Sequence, residues 1–215
     1  MKTETKILGI GMTQANVPKV MSGEKTQTRR IVNVGHKDLK FDAAIRLPDF
    51  NGKPCWELER HGALNAQVSA KHAVGDQLYV KEALKGSIDH DGTWARYKTD
   101  NLMVITRGGY RRWESDDGKP WKNKVIPARY MPRSAARTFI EITDVRCERV
   151  QDISVVDIEA EGCMLDALEY NANCDKTVTL QRRFKELWND TNGKDAWERN
   201  DWVFAYTFKL VEAPQ

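Results

Sequence analysis

Thr138-Phe139-Ile140-Glu141-Ile142-Thr143-Asp144-Val145-Arg146 is the stretch on which the fold turns. It is rich in β-branched and aromatic residues and predicts a strand spanning Arg137 to Val150. Eight residues past Arg146, Ser154-Val155-Val156-Asp157 changes the pattern. A serine followed three residues later by an acid, ahead of apolar positions, predicts a helix start. The helix runs to about Glu161, where Gly162 ends it. A long strand passing into a short capped helix, among further strands interspersed with short helices, predicts the α+β class.

Outward from this centre the signals recur. Ile7 to Met12 predicts a short strand, and Val17 to Gly23 a brief helix, with Pro18 tolerated in its first turn and Gly23 at its end. Thr26 to Val32 and Gln77 to Glu82 alternate as strands. Val178 to Asn189 predicts an amphipathic helix with Leu180, Phe184, Leu187 and Trp188 on one face. Trp202 to Leu210 is a final strand. Two segments lack clean periodicity. Residues 34–73 carry Gly35, Pro48, Asn51-Gly52, Pro54 and Gly62 and predict a loop-rich insertion with short hairpins. Residues 86–120 carry Asp91-Gly92, Gly108-Gly109 and Asp117-Gly118 and predict a second hairpin insertion. The expectation is a single domain over residues 1–215, built on a mixed or antiparallel sheet curled into a barrel, with short flanking helices.

The bulk numbers bound the function. In 215 residues, 34 basic and 31 acidic side chains leave a net charge of +3, so only a local patch could favour nucleic acid. The mean hydropathy is −0.63. No apolar run reaches the length of a membrane span or of a leader core, which points to no membrane partner and to the cytoplasm. Cys55, Cys147, Cys163 and Cys174 form no CxxC pair and stand at no ligand spacing from a histidine. They read as reduced thiols, with no metal. His36, His61, His72 and His90 read as surface residues of the insertions. GxSxG, P-loop and GxGxxG patterns are absent.

Three clusters could carry chemistry. The first is Lys25-Thr26-Gln27-Thr28-Arg29-Arg30, past a helix end. In an extended segment Thr26, Thr28 and Arg30 share one face and Lys25, Gln27 and Arg29 the other. A lysine beside a threonine hydroxyl can take its proton or hold an oxyanion. The bland alternative is a solvated basic turn. The second is Glu161, in the last helical turn with Asp157 one turn earlier. The negative end of the helix dipole disfavours a carboxylate there, a placement suited to proton transfer. Its alternative is a pair of solvated acids. Glu82, which ends a strand, either points into a pocket or marks the strand end. The third is the basic and aromatic run that includes Arg107, Tyr110, Arg111, Arg112, Trp113, Trp121, Lys122, Lys124, Arg129, Tyr130, Arg133 and Arg137. It can hold phosphates and stack bases, or it is a hairpin with packed rings and wet cations.

The order of Gly23-Glu24-Lys25-Thr26-Gln27-Thr28-Arg29-Arg30, then Gly75 to Glu82, then Ile142-Thr143-Asp144-Val145, then Asp152-Ile153-Ser154 with Glu159-Ala160-Glu161-Gly162, then Phe184 to Trp188 and Trp202 resembles the ASCH domain family. It is most similar to the longer phage and prophage members, over Ile7 to Leu210. The resemblance implies a PUA-like β-barrel with a cleft over the Lys-Thr segment. Some small bacterial members are amidohydrolases that cleave N4-acetylcytidine with a lysine, a threonine and a glutamate. Their Gly-x-Lys-Thr-x-Thr pattern falls on Lys25 and Thr28, and their glutamate on Glu161. The implied reading is a cofactor-free amidohydrolase of N4-acylated cytosine nucleosides, acting as a monomer or small homo-oligomer. Lys25, Thr28 and Glu161 are its catalytic residues, and Thr26, Arg29, Arg30 and Glu82 contact the substrate. An RNA, single-stranded nucleic acid or modified-base binding module without catalysis, and a ribonuclease, are the alternatives.

Overall fold

The computed structural model describes residues 7–34, 41–60, 65–89, 92–106, 109–114, 118–121, 124–165 and 175–213. In chain order the elements open with β1 (Leu8–Gly11), α1 (Asn16–Met21), β2 (Gln27–Ile31), β3 (Ala43–Phe50), β4 (Lys53–Glu59) and β5 (Ala66–Ser69). Next come β6 (Gln77–Lys81), β7 (Leu84–Asp89), β8 (Gly92–Tyr97), β9 (Ile105–Thr106), β10 (Gly109–Tyr110) and β11 (Val125–Ile126). The chain closes with β12 (Phe139–Arg149), α2 (Val155–Ala160), α3 (Lys176–Asn192) and β13 (Trp202–Val211). No helix among the described residues is long and apolar enough to cross a membrane.

The chain divides into two compact units. Unit one holds Met1–Gly23, Gln77–Glu141 and Leu210–Gln215; unit two holds Glu24–Asp76 and Ile142–Lys209. In unit one β6 pairs in parallel with β1, and its other edge takes the start of β12 antiparallel, with Phe139 opposite Tyr79. β7 and β8 form a hairpin flanked by β11. Their inward residues Leu84, Ala95 and Tyr97 join Val104, Trp113, Ile126, Met131 and Ala135 in a buried cluster.

In unit two β13 lies between β12 and β2. Its core gathers Val150 and Ile153 after β12, Ile158 of α2, and Leu180, Phe184 and Trp188 of α3. The fourfold spacing of the α3 residues makes one stripe, and Asp175 caps the helix by accepting from the Thr177 N–H. The helix is longer than the pattern predicts, reaching Lys176 and Asn192. The capped α2 forms as expected: Ser154 Oγ accepts from the Asp157 N–H, and Gly162, at φ 78°, lets the chain leave.

One expectation needs correction. No sheet closes into a barrel among the described residues; each keeps open edges. The hairpins expected within residues 34–73 do form among the described residues. β3, β4 and β5 make an antiparallel meander, with the β3–β4 turn at Asn51 and Gly52 both in positive φ. Pro48 sits where the β3–β4 register shifts between Leu47 and Phe50, so the proline marks a bulge instead of a loop.

Candidate functional site

The Lys25 segment is held by contacts within unit two. The Thr26 N–H donates to the Ala160 carbonyl and the Thr26 carbonyl accepts from the Phe208 N–H, each at 2.8 Å. These two bonds clamp the segment between the end of α2 and β13. β2 then runs antiparallel to β13, with Thr28 opposite Tyr206 and Arg29 opposite Ala205.

On one face of β2 the side chains form a buried ionic network. Lys25, 2 % exposed, donates from Nζ to the Glu161 carbonyl at 2.8 Å and to the Glu161 carboxylate oxygen Oε2. Arg29 donates from Nη1 to the other Glu161 oxygen, Oε1, at 3.1 Å, and to Gln27 Oε1 at 2.6 Å. Its Nη2 donates to Glu148 Oε1 at 2.7 Å and lies 3.4 Å from Asp157 Oδ2. Gln27 Nε2 donates to Asp157 Oδ1 and Thr207 Oγ1. Arg146 closes the outer side on Asp157 and Glu148. Burial pushes the Asp157 carboxyl up, but the Gln27 and Arg146 hydrogen bonds and the Arg146 and Arg29 charges outweigh it and hold it below the usual range. Arg29 Nε has no partner among the described residues, and the Phe184 ring lies 6.0 Å from its guanidinium carbon.

The other face carries Thr28 and Arg30. Thr28 is buried, and its Oγ1 accepts from Arg30 Nη1 at 3.0 Å. Arg30 is solvent accessible, yet burial is the largest influence on its guanidinium and lowers its pKa, against the raising charges of Glu161 and Tyr206. Arg30 thus bonds Thr28 and feels the Glu161 charge, linking the two faces at the start of β2.

The predicted residues separate accordingly. Lys25, Arg29 and Glu161 meet directly. Thr28 meets Arg30. Thr26 enters through its backbone. Arg29, with a fully enclosed side chain, spends its guanidinium on protein carboxylates. Glu161 faces two cations, and Asp157 faces Gln27 and Arg146. Glu82 belongs to unit one, where both its oxygens accept from Arg137 at 2.8 Å. Glu148 and Arg146 escaped the sequence reading; charges at alternate positions of the clearest strand were the available signal. His72 is a correction: it is 3 % exposed, edge-on to Tyr206 at 5.6 Å. Burial first, then the Lys71 charge, brings its pKa down to about 4, and its Nδ1 has no partner among the described residues. His36, His61, His90, Cys174, Arg107 and Lys122 lie outside the described residues. Cys55, Cys147 and Cys163 form no disulfide among the described residues.

No protein family profile matches the chain, and no curated protein matches it. Among solved structures it is similar to an ASCH domain from Lactobacillus crispatus JV V101. That likeness has 13 % identity, covers 90 % of this chain and 68 % of the other, and has a TM-score of 0.33.

Proposed function

We propose that the Lys25 site hydrolyses an amide on the exocyclic amine of an acylated cytosine nucleoside. The observation that carries the reading is the buried Lys25 ammonium held on the Glu161 carboxylate, with Thr28 bonded to Arg30 on the opposite face of the same strand. The choice of substrate comes from the resemblance of Gly23 to Arg30 to the small ASCH amidohydrolases.

The reaction runs in two halves. Thr28 Oγ1 forms a bond to the acyl carbon, the carbonyl electron pair moves onto oxygen, and the hydroxyl proton is relayed through one water to Glu161, which lies across the strand. The Arg30 N–H on Oγ1 favours the developing alkoxide, and the Lys25 cation stabilises the oxyanion. The C–N bond then breaks, and Glu161 returns the proton to the leaving nitrogen. Water attacks the resulting threonine ester, releases the acid and restores the hydroxyl. Arg29 positions Glu161 from behind and touches no substrate.

The test is acetate release from N4-acetylcytidine by the purified protein. Lys25→Ala and Glu161→Gln should each lower the rate by about 100-fold or more. An inactive wild type, or an undiminished Lys25→Ala variant, overturns the proposal.

A further inference from the structure

The net charge of +3 is unevenly shared. Unit one carries 16 Lys and Arg against 10 Asp and Glu; unit two carries 18 against 21. The excess of six positive charges in unit one is the kind of asymmetry that accompanies a polyanionic partner.

The register of β7 and β8 gives this charge a place. Leu84 faces Tyr97 and Gly86 faces Ala95 across the hairpin, and Leu84, Ala95 and Tyr97 point into the buried cluster. A side chain built on Gly86 would meet the Trp113 ring at 3.1 Å, which puts Trp113 on that same inner face. Strand alternation sends the intervening residues outward. Lys85 pairs with Arg96, and Ser87 with Trp94. Bridges extend the outer face from Trp94 to Arg112 and from Arg96 to Met103. Beyond them Tyr110, 60 % exposed, stands opposite Ile105 and edge-on to Trp94 at 6.4 Å. The Arg112 guanidinium carbon lies 5.7 Å from the Trp94 ring.

One sheet face therefore presents Lys85, Arg96 and Arg112 around Trp94 and Tyr110. We infer that this face of unit one binds single-stranded nucleic acid, with an unpaired base stacking on Tyr110 and phosphates lying on the three cations. A ring exposed on a flat β surface offers a π-face to any unpaired base, and flanking cations replace counterions along the backbone. A duplex keeps its bases stacked and could use only the cations. The surface belongs to unit one alone and does not rest on the reading of the Lys25 site.

The experiment is fluorescence anisotropy with a labelled mixed-sequence RNA oligonucleotide, the same sequence as single-stranded DNA, and its duplex, across a salt series. Both single strands should bind more tightly than the duplex, and the ratio of RNA to DNA affinity identifies the natural source. Tyr110→Ala should weaken single-strand binding about tenfold and leave the salt dependence unchanged. Arg96→Glu combined with Arg112→Glu should weaken binding and flatten the plot of log affinity against log salt by about 0.7 for each phosphate no longer neutralised. Circular dichroism confirms that each variant is folded. Absence of binding at low salt overturns the inference. So does equal binding of duplex, single strand and heparin with no effect of Tyr110→Ala, which would mark a general polyanion or acidic-protein surface.

Discussion

Arg137 in unit one and Arg29 in unit two both meet buried glutamates, but the surroundings of the two guanidinium groups differ. Arg137 places Nε and Nη2 on the two oxygens of Glu82, which is 1 % exposed, and Nη1 on Asp100 at 2.7 Å. Its plane lies over Tyr97, 3.7 Å from the ring centre. Tyr97 in turn donates to the Ala135 carbonyl, and burial, against the Arg137 charge, pushes its pKa up to about 12. The Glu82 carboxylate is matched by one bidentate fork. At Arg29 the fork is divided among Glu161, Glu148 and Asp157, and Glu161 is shared with Lys25. The Glu161 carboxylate is held by cations of two separate residues. A carboxylate closed by one fork holds the backbone. Arginine–glutamate pairing is common to both; what remains reachable around the glutamate sets them apart.

Substitutions can break this contrast. The largest expected effect on stability is at Arg29. Arg29→Met would leave the buried Glu161 and the half-buried Glu148 and Asp157 without their common cation and should cost about 3–5 kcal/mol in urea unfolding. It should also slow amide hydrolysis in the protein that stays folded, because Glu161 loses its support. Arg137→Met should cost about 3 kcal/mol by stranding Glu82, with the rate of the folded fraction kept. Equal loss of rate in both variants would erase the distinction between lock and site.

The last effect concerns pH and is confined to acid. The His72 pKa is lowered to about 4, so the folded protein binds fewer protons than the unfolded chain between there and about 6.5. Its contribution to stability is present above about pH 6.5 and is lost as pH falls through 4, up to about 3 kcal/mol in total. His72→Phe should flatten stability across that window while keeping the edge contact with Tyr206. An unchanged pH profile between about 4 and 6.5 in that variant would contradict the assignment, because the depressed carboxylates Asp76, Asp100 and Asp157 lose their contribution only below about pH 4.

The sequence showed the local parts of this arrangement and hid the distant ones. Ser154 and Gly162 announce α2, and with it the place of Glu161, because capping is a short-range hydrogen bond. The alternation from Thr26 onward correctly divides Gln27 and Arg29 from Thr28 and Arg30. The Glu148 partner of Arg29 lies 119 positions away, a pairing that only β-sheet order creates. His72 looked like a surface residue because its cover, Tyr206, comes from the far end of the chain. The meander of residues 34–73 was obscured by Pro48 and Pro54, which read as breakers although both stand within strands. The basic and aromatic run divides in a way composition could not show. Trp113 and Trp121 pack edge-on at 4.7 Å, while Tyr110 and Arg112 join Trp94 and Arg96 from an earlier strand.

The proposed reaction stands on Thr28 carrying the acyl group. Intact-protein mass spectrometry on acid-quenched turnover of N4-acetylcytidine reads that step without intermediaries. An acetyl adduct should map to the peptide bearing Thr28 and be absent from Thr28→Val, which should also lose acetate release. Acetate release at the wild-type rate by Thr28→Val would contradict the assignment.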